Sequence, residues 1–386
     1  MANNYWRGTL SNVWQTAGNW SLGAVPTSSD GNTAVFDGTS PNCTLNAGGV
    51  LNCVNIDFSA YANTITVNNS LNLYGNITLG PNAHYAYSGA NVLLCRGTAP
   101  TLYGNNCTLD LPWSDAGPGI NKTLAGGGNF TISKPIVFNT GAVNNTTSEQ
   151  LISTGNITNA SALLSGTGTL VVSGGIMTLP GTTITNLIIS GSPTIASLAI
   201  SGSTILTCTS GTPSVGTTTL TVGGSTTLNC PNLIFYNLNV VSTGTITLNA
   251  LVTVSNNLSL NNSAVTFAGA YGFTTSNLIH NVVGTTSGIN TFKAGNTYTV
   301  TGSLLAYGAD SSHHLTWKSD NAGSPFYLTL TPEVSSIISI YINATDIDSS
   351  RGQTVNQYGG VISASTLNWN TLTTFQIPQD PFASFT

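Results

Sequence analysis

Apolar and polar residues alternate along most of this chain with a period of two. The stretches TITVNNSLNLYGNITLG (64–80), TLVVSGGIMTLPGTTITNLIIS (169–190) and NLNVVSTGTITLNALVTVSNNLSLNNSAVTF (237–267) set Leu, Ile and Val between Thr, Ser and Asn. Successive side chains of an extended strand point to opposite faces, so this pattern predicts short β-strands with one buried and one outward face. Gly, Asn or Ser-Gly punctuates the strands at short intervals, as tight turns require. No segment holds a helical period. EQLIST (149–154) is the one short candidate, and it runs directly into Gly and Asn.

The strands also repeat. NLIISGSPTI (186–195) and SLAISGSTIL (197–206) align at an offset of 11, and LTVGGSTTL (220–228) continues the theme. Short strand–turn units repeated in this way predict a β-solenoid with coils of roughly 18–25 residues. Its coils would stack about 4.8 Å apart, with inward Leu, Ile and Val on their counterparts and outward Thr, Ser and Asn in columns. Tandem β-sandwiches are the alternative all-β architecture, although they seldom need such regular short units.

Charge sharpens this picture. Only 5% of the residues are charged, against roughly 25% in ordinary soluble domains. From Gln150 to Phe292 there is no Asp, Glu, Lys or Arg. Stacked like charges repel across a ladder, whereas stacked Asn side chains can hydrogen-bond, so a charge-free middle is what stacked coils favour. The ends differ. Residues 1–60 hold Trp6, Trp14 and Trp20. Residues 301–386 hold Trp317, Trp369, the pair His313-His314 and half of the twelve acidic residues. The expected organisation is an N-terminal Trp-rich cap or attachment module (1–60), an uncharged solenoid body (61–300) and a C-terminal β module with a tail (301–386), the ends shielding the open edges of the stack.

The same composition bounds function. The seven basic residues are scattered, so no phosphate-binding patch is expected and nucleic acid is not a partner. No apolar run approaches the length that spans a bilayer, so no membrane is expected either. The opening MANNYWRGTLSNVW lacks the basic and apolar regions of a secretory signal, which implies synthesis in a cytosol. Six widely spaced cysteines with no C-x-x-C read as small buried apolar residues. The Asn-x-Ser/Thr triplets at Asn19, Asn42, Asn76, Asn106, Asn129, Asn156 and Asn257 read as by-products of an Asn-, Ser- and Thr-rich chain.

The N-terminal run YWRGTLSNVWQTAGNWSLGAVPTSSDGNTAVFDGTSPNCTLN, with its N-W-S, V-P and V-F-D elements, resembles the opening of β-solenoid virion structural proteins of tailed bacteriophages. CVNIDFSAYANTITVNNSLNLYGNITLG is similar to their first coils, and HLTWKSDNAGSPFYLTLTPEVSSIISIYINATDIDSS to their closing coils, ending near Asn368-Trp369. The chain departs from the pattern where LNWNTLTTFQIPQDPFASFT runs on past that Trp, a tail suited to anchoring or an oligomer contact. The resemblance implies a non-enzymatic virion protein of the tail fibre, spike, head-fibre or decoration type. Its implied partners are itself, as a homotrimer, other capsid or tail proteins, and a host surface glycan. A bacterial surface adhesin and a glycan-depolymerising tailspike are the alternatives.

Candidate chemistry is sparse. A glycosidase needs two carboxylates about 5–9.5 Å apart. Asp346 and Asp348, two apart in TDID, would share a strand face and form the best pair, against a turn-capping role ahead of Ser349-Ser350. Trp113, flanked by Asp110 and Asp115 in LDLPWSDAGPG, could stack on a sugar or serve a turn. Trp113, Asp346 and Asp348 are therefore the candidate glycan contacts. His313 and His314 would point to opposite faces of a strand, which argues against a metal site. The G-x-G strings lie between no strand and helix, so no phosphate loop is expected. No catalytic residue and no cofactor is assigned.

Overall fold

In the computed structural model, residues 2–372 are described apart from 47–50, 88–92, 98, 116–121, 139–141, 146–149, 160–162, 201, 242, 262–263 and 282–286. The chain is a β-solenoid, as the alternation and repeats predict. Among the described residues the only helical element is the single 3-10 turn Ala17–Asn19. The strand ladders are parallel, as between Leu71–Leu73 and Leu93–Cys95 or Phe273–Asn281 and Thr297–Tyr307. Consecutive strands of a sandwich pair antiparallel, so these ladders exclude the tandem-sandwich alternative.

The chain divides into two compact units, Met1–Gly216 and Thr217–Thr386. This division does not follow the boundaries expected from composition. Residue 300 lies inside the strand Thr297–Tyr307, and the strand Asn55–Asp57 pairs across residue 60 with Ile77–Thr78.

In the first unit one inward column runs Leu51, Leu71, Leu93, Trp113, Ile136, Ile157, Met177 and Ile195, each in register with the next and each buried. These positions recur every 18 to 23 residues, which is the coil length. The 11-residue offset seen in the sequence is instead the step from one strand to the next within a coil. Both of its copies carry a glycine, Gly191 and Gly202, at φ +93° and +73°, a backbone that L-residues rarely adopt. Stacking adds a second demand: a Cβ on Gly211 would lie 2.0 Å from the carbonyl oxygen of Gly191.

The first coils are closed by aromatic rings. Trp14 and Trp20 meet edge to face at 4.7 Å, Trp6 and Trp20 at 5.2 Å, and Phe36 packs against all three. All three indoles are buried, and Trp6 and Trp20 donate Nε1–H to the carbonyls of Pro41 and Trp14. The Trp-rich start thus covers the interior that an open solenoid would expose.

The second unit repeats the plan with coils of less even length. Leu238, Leu258, Leu278 and Leu304 form an inward column, and Phe267, Phe273, Phe292, Tyr298 and Phe326 interlock beside it. Its last described strand, Trp369–Leu372, pairs with Val355–Tyr358 and buries Trp369. The C-terminal tail from 373 onward lies outside the described residues.

Cys43, Cys53 and Cys107 are buried free thiols, as expected. Cys208 and Cys230 are disulfide-bonded, which corrects the reading of all six as plain buried thiols. A solenoid brings together inward residues that the chain separates widely, and spacing in sequence does not display this.

Candidate functional site

Because strand alternation sends every second residue outward, the surface of each unit is a set of columns. Many are the Thr, Ser and Asn columns that the composition predicts. In the second unit Thr253, Thr274, Thr299 and Thr329 stand in one outward column. Asn side chains tie coils together as well. Asn72 Nδ2 donates to Asn52 Oδ1 at 2.8 Å, and Asn277 Nδ2 to Asn257 Oδ1 at 2.9 Å.

At the corners, Asn side chains accept backbone amides from the following coil. Asn42, Asn76, Asn106 and Asn156 take the N–H of Thr64, Thr101, Asn129 and Ile176, all at 2.9 Å. Asn19 is buried and binds the amides of Leu10 and Ser11 through Oδ1. Five of the Asn-x-Ser/Thr triplets, counting Asn19, are therefore structural fasteners.

Three outward columns break the polar rule. In the first unit the column Thr131, Ile152, Val171, Ile188, Thr207 is apolar at its centre. In the second unit Ile279, Leu305 and Ile338 stack outward, and Tyr307, Ile340, Tyr358 and Leu372 form the adjacent column. Most of these side chains are half-buried; Val171 is 6% and Leu372 40% exposed. Sequence reading passed over these surfaces, yet a signal was present. QLIS, LVV, LIIS, LLAY and SIISI carry adjacent apolar residues, which places apolar side chains on both faces of one strand.

The residues singled out for glycan contact are not brought together. Trp113 is 1% exposed and sits in an inward slot between Leu93 and Ile136, its ring edge to face with Phe138 at 5.4 Å. A sugar has no access to it, which corrects its assignment as a stacking platform. Asp346 has φ +55° at a bend between the strands Ile342–Thr345 and Ile347–Asp348, so the two carboxylates do not share one strand face. It is 5% exposed and accepts the Gly323 amide at 3.1 Å. Asp348 accepts the Ser350 amide at 2.9 Å. Both are turn caps.

Other carboxylates are similarly engaged. Asp110 binds the Ser133 hydroxyl and pairs with Lys134 at 3.3 Å; the Asp115 side chain lies outside the described residues. Asp30 and Asp57 cap turns at Asn32 and Ser59. Asp37 pairs with Arg7 at 2.8 Å, and that hydrogen bond holds its carboxyl well below the usual range. Asp320 is pushed up by burial, but Lys293 at 2.8 Å and the Ala294 amide outweigh this and lower it. Asp310 holds His313 at 2.9 Å in a tight turn and is lowered by that bond, while His314 stacks on Tyr341. Among the described residues no three His, Cys, Asp or Glu side chains gather as a metal site requires, and no helix is long and apolar enough to cross a membrane.

A void of about 20 Å³ in the first unit, walled by residues such as Trp14, Phe58, Ile65 and Leu109, is too small for an organic ligand. The fold and surface define a sparsely charged parallel β-solenoid with polar columns and three apolar outward ones. No family model, curated protein or solved structure matches the chain.

Proposed function

We propose that this protein is a non-enzymatic structural component of a tailed-phage particle, a decoration or fibre subunit that associates with copies of itself along its side. The observation that carries this reading is the set of outward apolar columns, foremost Ile152–Val171–Ile188 and Ile279–Leu305–Ile338, on a fold whose outward columns are otherwise largely Thr, Ser and Asn. Apolar side chains on a solvent-facing sheet mark an interaction surface. A partner that fits a column repeating about every 4.8 Å is another stacked solenoid face with the same repeat. A homotrimer satisfies each copy alike. The engagement of the carboxylates in turns and ion pairs supports a scaffold over a hydrolase. A glycan, if one is bound by the assembly, would meet Thr, Ser and Asn columns in place of Trp113.

The test has two parts. Sedimentation of the purified chain is expected to give three times its 39.7 kDa mass. Immunogold labelling of particles from the source is expected to decorate capsid or tail. A monodisperse single chain removes the self-association, and particles without label remove the virion assignment.

A further inference from the structure

Ser339 and Gln357 stand in register on neighbouring strands of the second unit, and both point inward. They are 3% and 0% exposed, yet among the described residues Ser339 Oγ and Gln357 Nε2 have no hydrogen-bond partner. The orientation of the Gln357 amide is set by Trp369. An indole N–H can only donate, and Trp369 Nε1 donates to Gln357 Oε1 at 3.1 Å. The NH2 end is thereby turned away from the indole with two protons to place.

The neighbouring position in the same inward column is Ala306, whose side chain offers Ser339 no polar partner. The column runs His280, Ala306, Ser339, Gln357, and it brings no fixed charge to the site. Trp317 donates to His280 Nδ1 at 3.1 Å, which keeps that nitrogen unprotonated. A bound ion would therefore meet no counter-charge. The site suits a small neutral molecule that both donates and accepts.

We infer that an ordered water occupies this position, accepting a hydrogen bond from Gln357 Nε2 and sharing one with Ser339 Oγ. Buried polar atoms in native proteins are paired with protein groups or with ordered water, and a buried water needs two to four polar partners. The water forms a side-chain rung between the strands Ser336–Ile340 and Val355–Tyr358. It holds the last coils together.

An experimental structure at a resolution that shows solvent tests this directly. The expected result is a water peak within hydrogen-bonding range, about 2.7–3.2 Å, of both Ser339 Oγ and Gln357 Nε2. The two atoms bonded to each other or to backbone groups, with no peak between them, would overturn it. Thermal melting of Ser339→Ala gives an independent reading by its sign. Removing a hydroxyl that holds a water lowers the midpoint, by roughly 2 °C or more. Removing a dry, unpaired hydroxyl relieves a cost and raises it. A midpoint that rises or stays in place counts against the water.

Discussion

Trp317 Nε1 donates a hydrogen bond of 3.1 Å to His280 Nδ1 inside the second unit, where both residues are fully buried. An indole N–H has no acceptor capacity, so this contact requires Nδ1 to be unprotonated and the imidazole to be neutral. Asn290 Nδ2 lies 3.0 Å from the same nitrogen, and Asn290 Oδ1 accepts the Val265 amide at 2.7 Å. His280 is thus a structural acceptor in a stretch that carries no Asp, Glu, Lys or Arg. His280→Leu would strand the indole N–H in an apolar interior. The expected loss is about 2 kcal/mol or more of unfolding free energy, measured by denaturant titration followed through Trp fluorescence. Unchanged stability would mean that this donor finds another acceptor.

The corner asparagines should rank by backbone conformation. Asn76→Ala removes the acceptor of the Thr101 amide and is expected to cost about 1 kcal/mol. Asn106 accepts the Asn129 amide and also sits at φ +59°. Asn106→Ala therefore adds left-handed backbone strain of roughly 1–2 kcal/mol to the lost bond. Asn106→Gly should recover much of that strain. Equal costs for Asn106→Ala and Asn106→Gly in chemical denaturation would contradict this account.

Charge placed in an apolar column should separate copies without unfolding them. Leu305 and Ile152 are outward and half-buried, so Leu305→Glu and Ile152→Glu leave the inward columns intact. Sedimentation is expected to shift toward the single-chain mass while the far-UV circular dichroism stays that of the parent. Retention of the oligomer in both variants would place the interface elsewhere.

Stability should fall at both extremes of pH, for different groups. The Asp37 carboxyl is lowered by its hydrogen bond to Arg7, so the pair contributes stability above the ordinary value of 3.8. That contribution is lost as pH falls toward the depressed folded value. Arg7 and Asp37 are both partly solvent-exposed, which holds the gain below about 1 kcal/mol. At alkaline pH burial raises the thiols, pushing Cys53 up to about 12 and Cys107 up to about 11. The neutral thiols favour the fold fully below 9.0, and this contribution is lost as pH rises from there to about 12. Peptide mapping after thiol labelling at pH 8 should find Cys43, Cys53 and Cys107 unmodified until denaturant is added. Prompt labelling of the native protein would refute the burial argument.

Much of the architecture was legible because strand alternation is a local property. Whether a residue faces in or out is decided by its parity within a strand, and Ile65, Val67, Leu71 and Leu73 in TITVNNSLNL announce themselves as inward by that rule alone. The failure at Trp113 has the same origin. Its neighbours Pro112, Asp115 and Gly117 gave it the look of a loop, whereas register with Leu93 and Ile136 makes it a core residue. The pair Asp346 and Asp348 failed through a single backbone angle, since φ +55° at Asp346 ends the alternation that would have put both on one face.

Sequence by itself determined the all-β class, the solenoid and the charge-free middle ladders, because each follows from period two, turn residues and the repulsion of stacked charges. Tertiary structure decided which residues meet across coils. Asn76 on the Thr101 amide, Trp317 on His280, Trp369 on Gln357 and the outward stack of Ile279, Leu305 and Ile338 all join positions about 12 to 37 residues apart. Coil lengths vary with every corner and loop, so the register that creates these contacts is a sum over turns. It is set only when the coils pack.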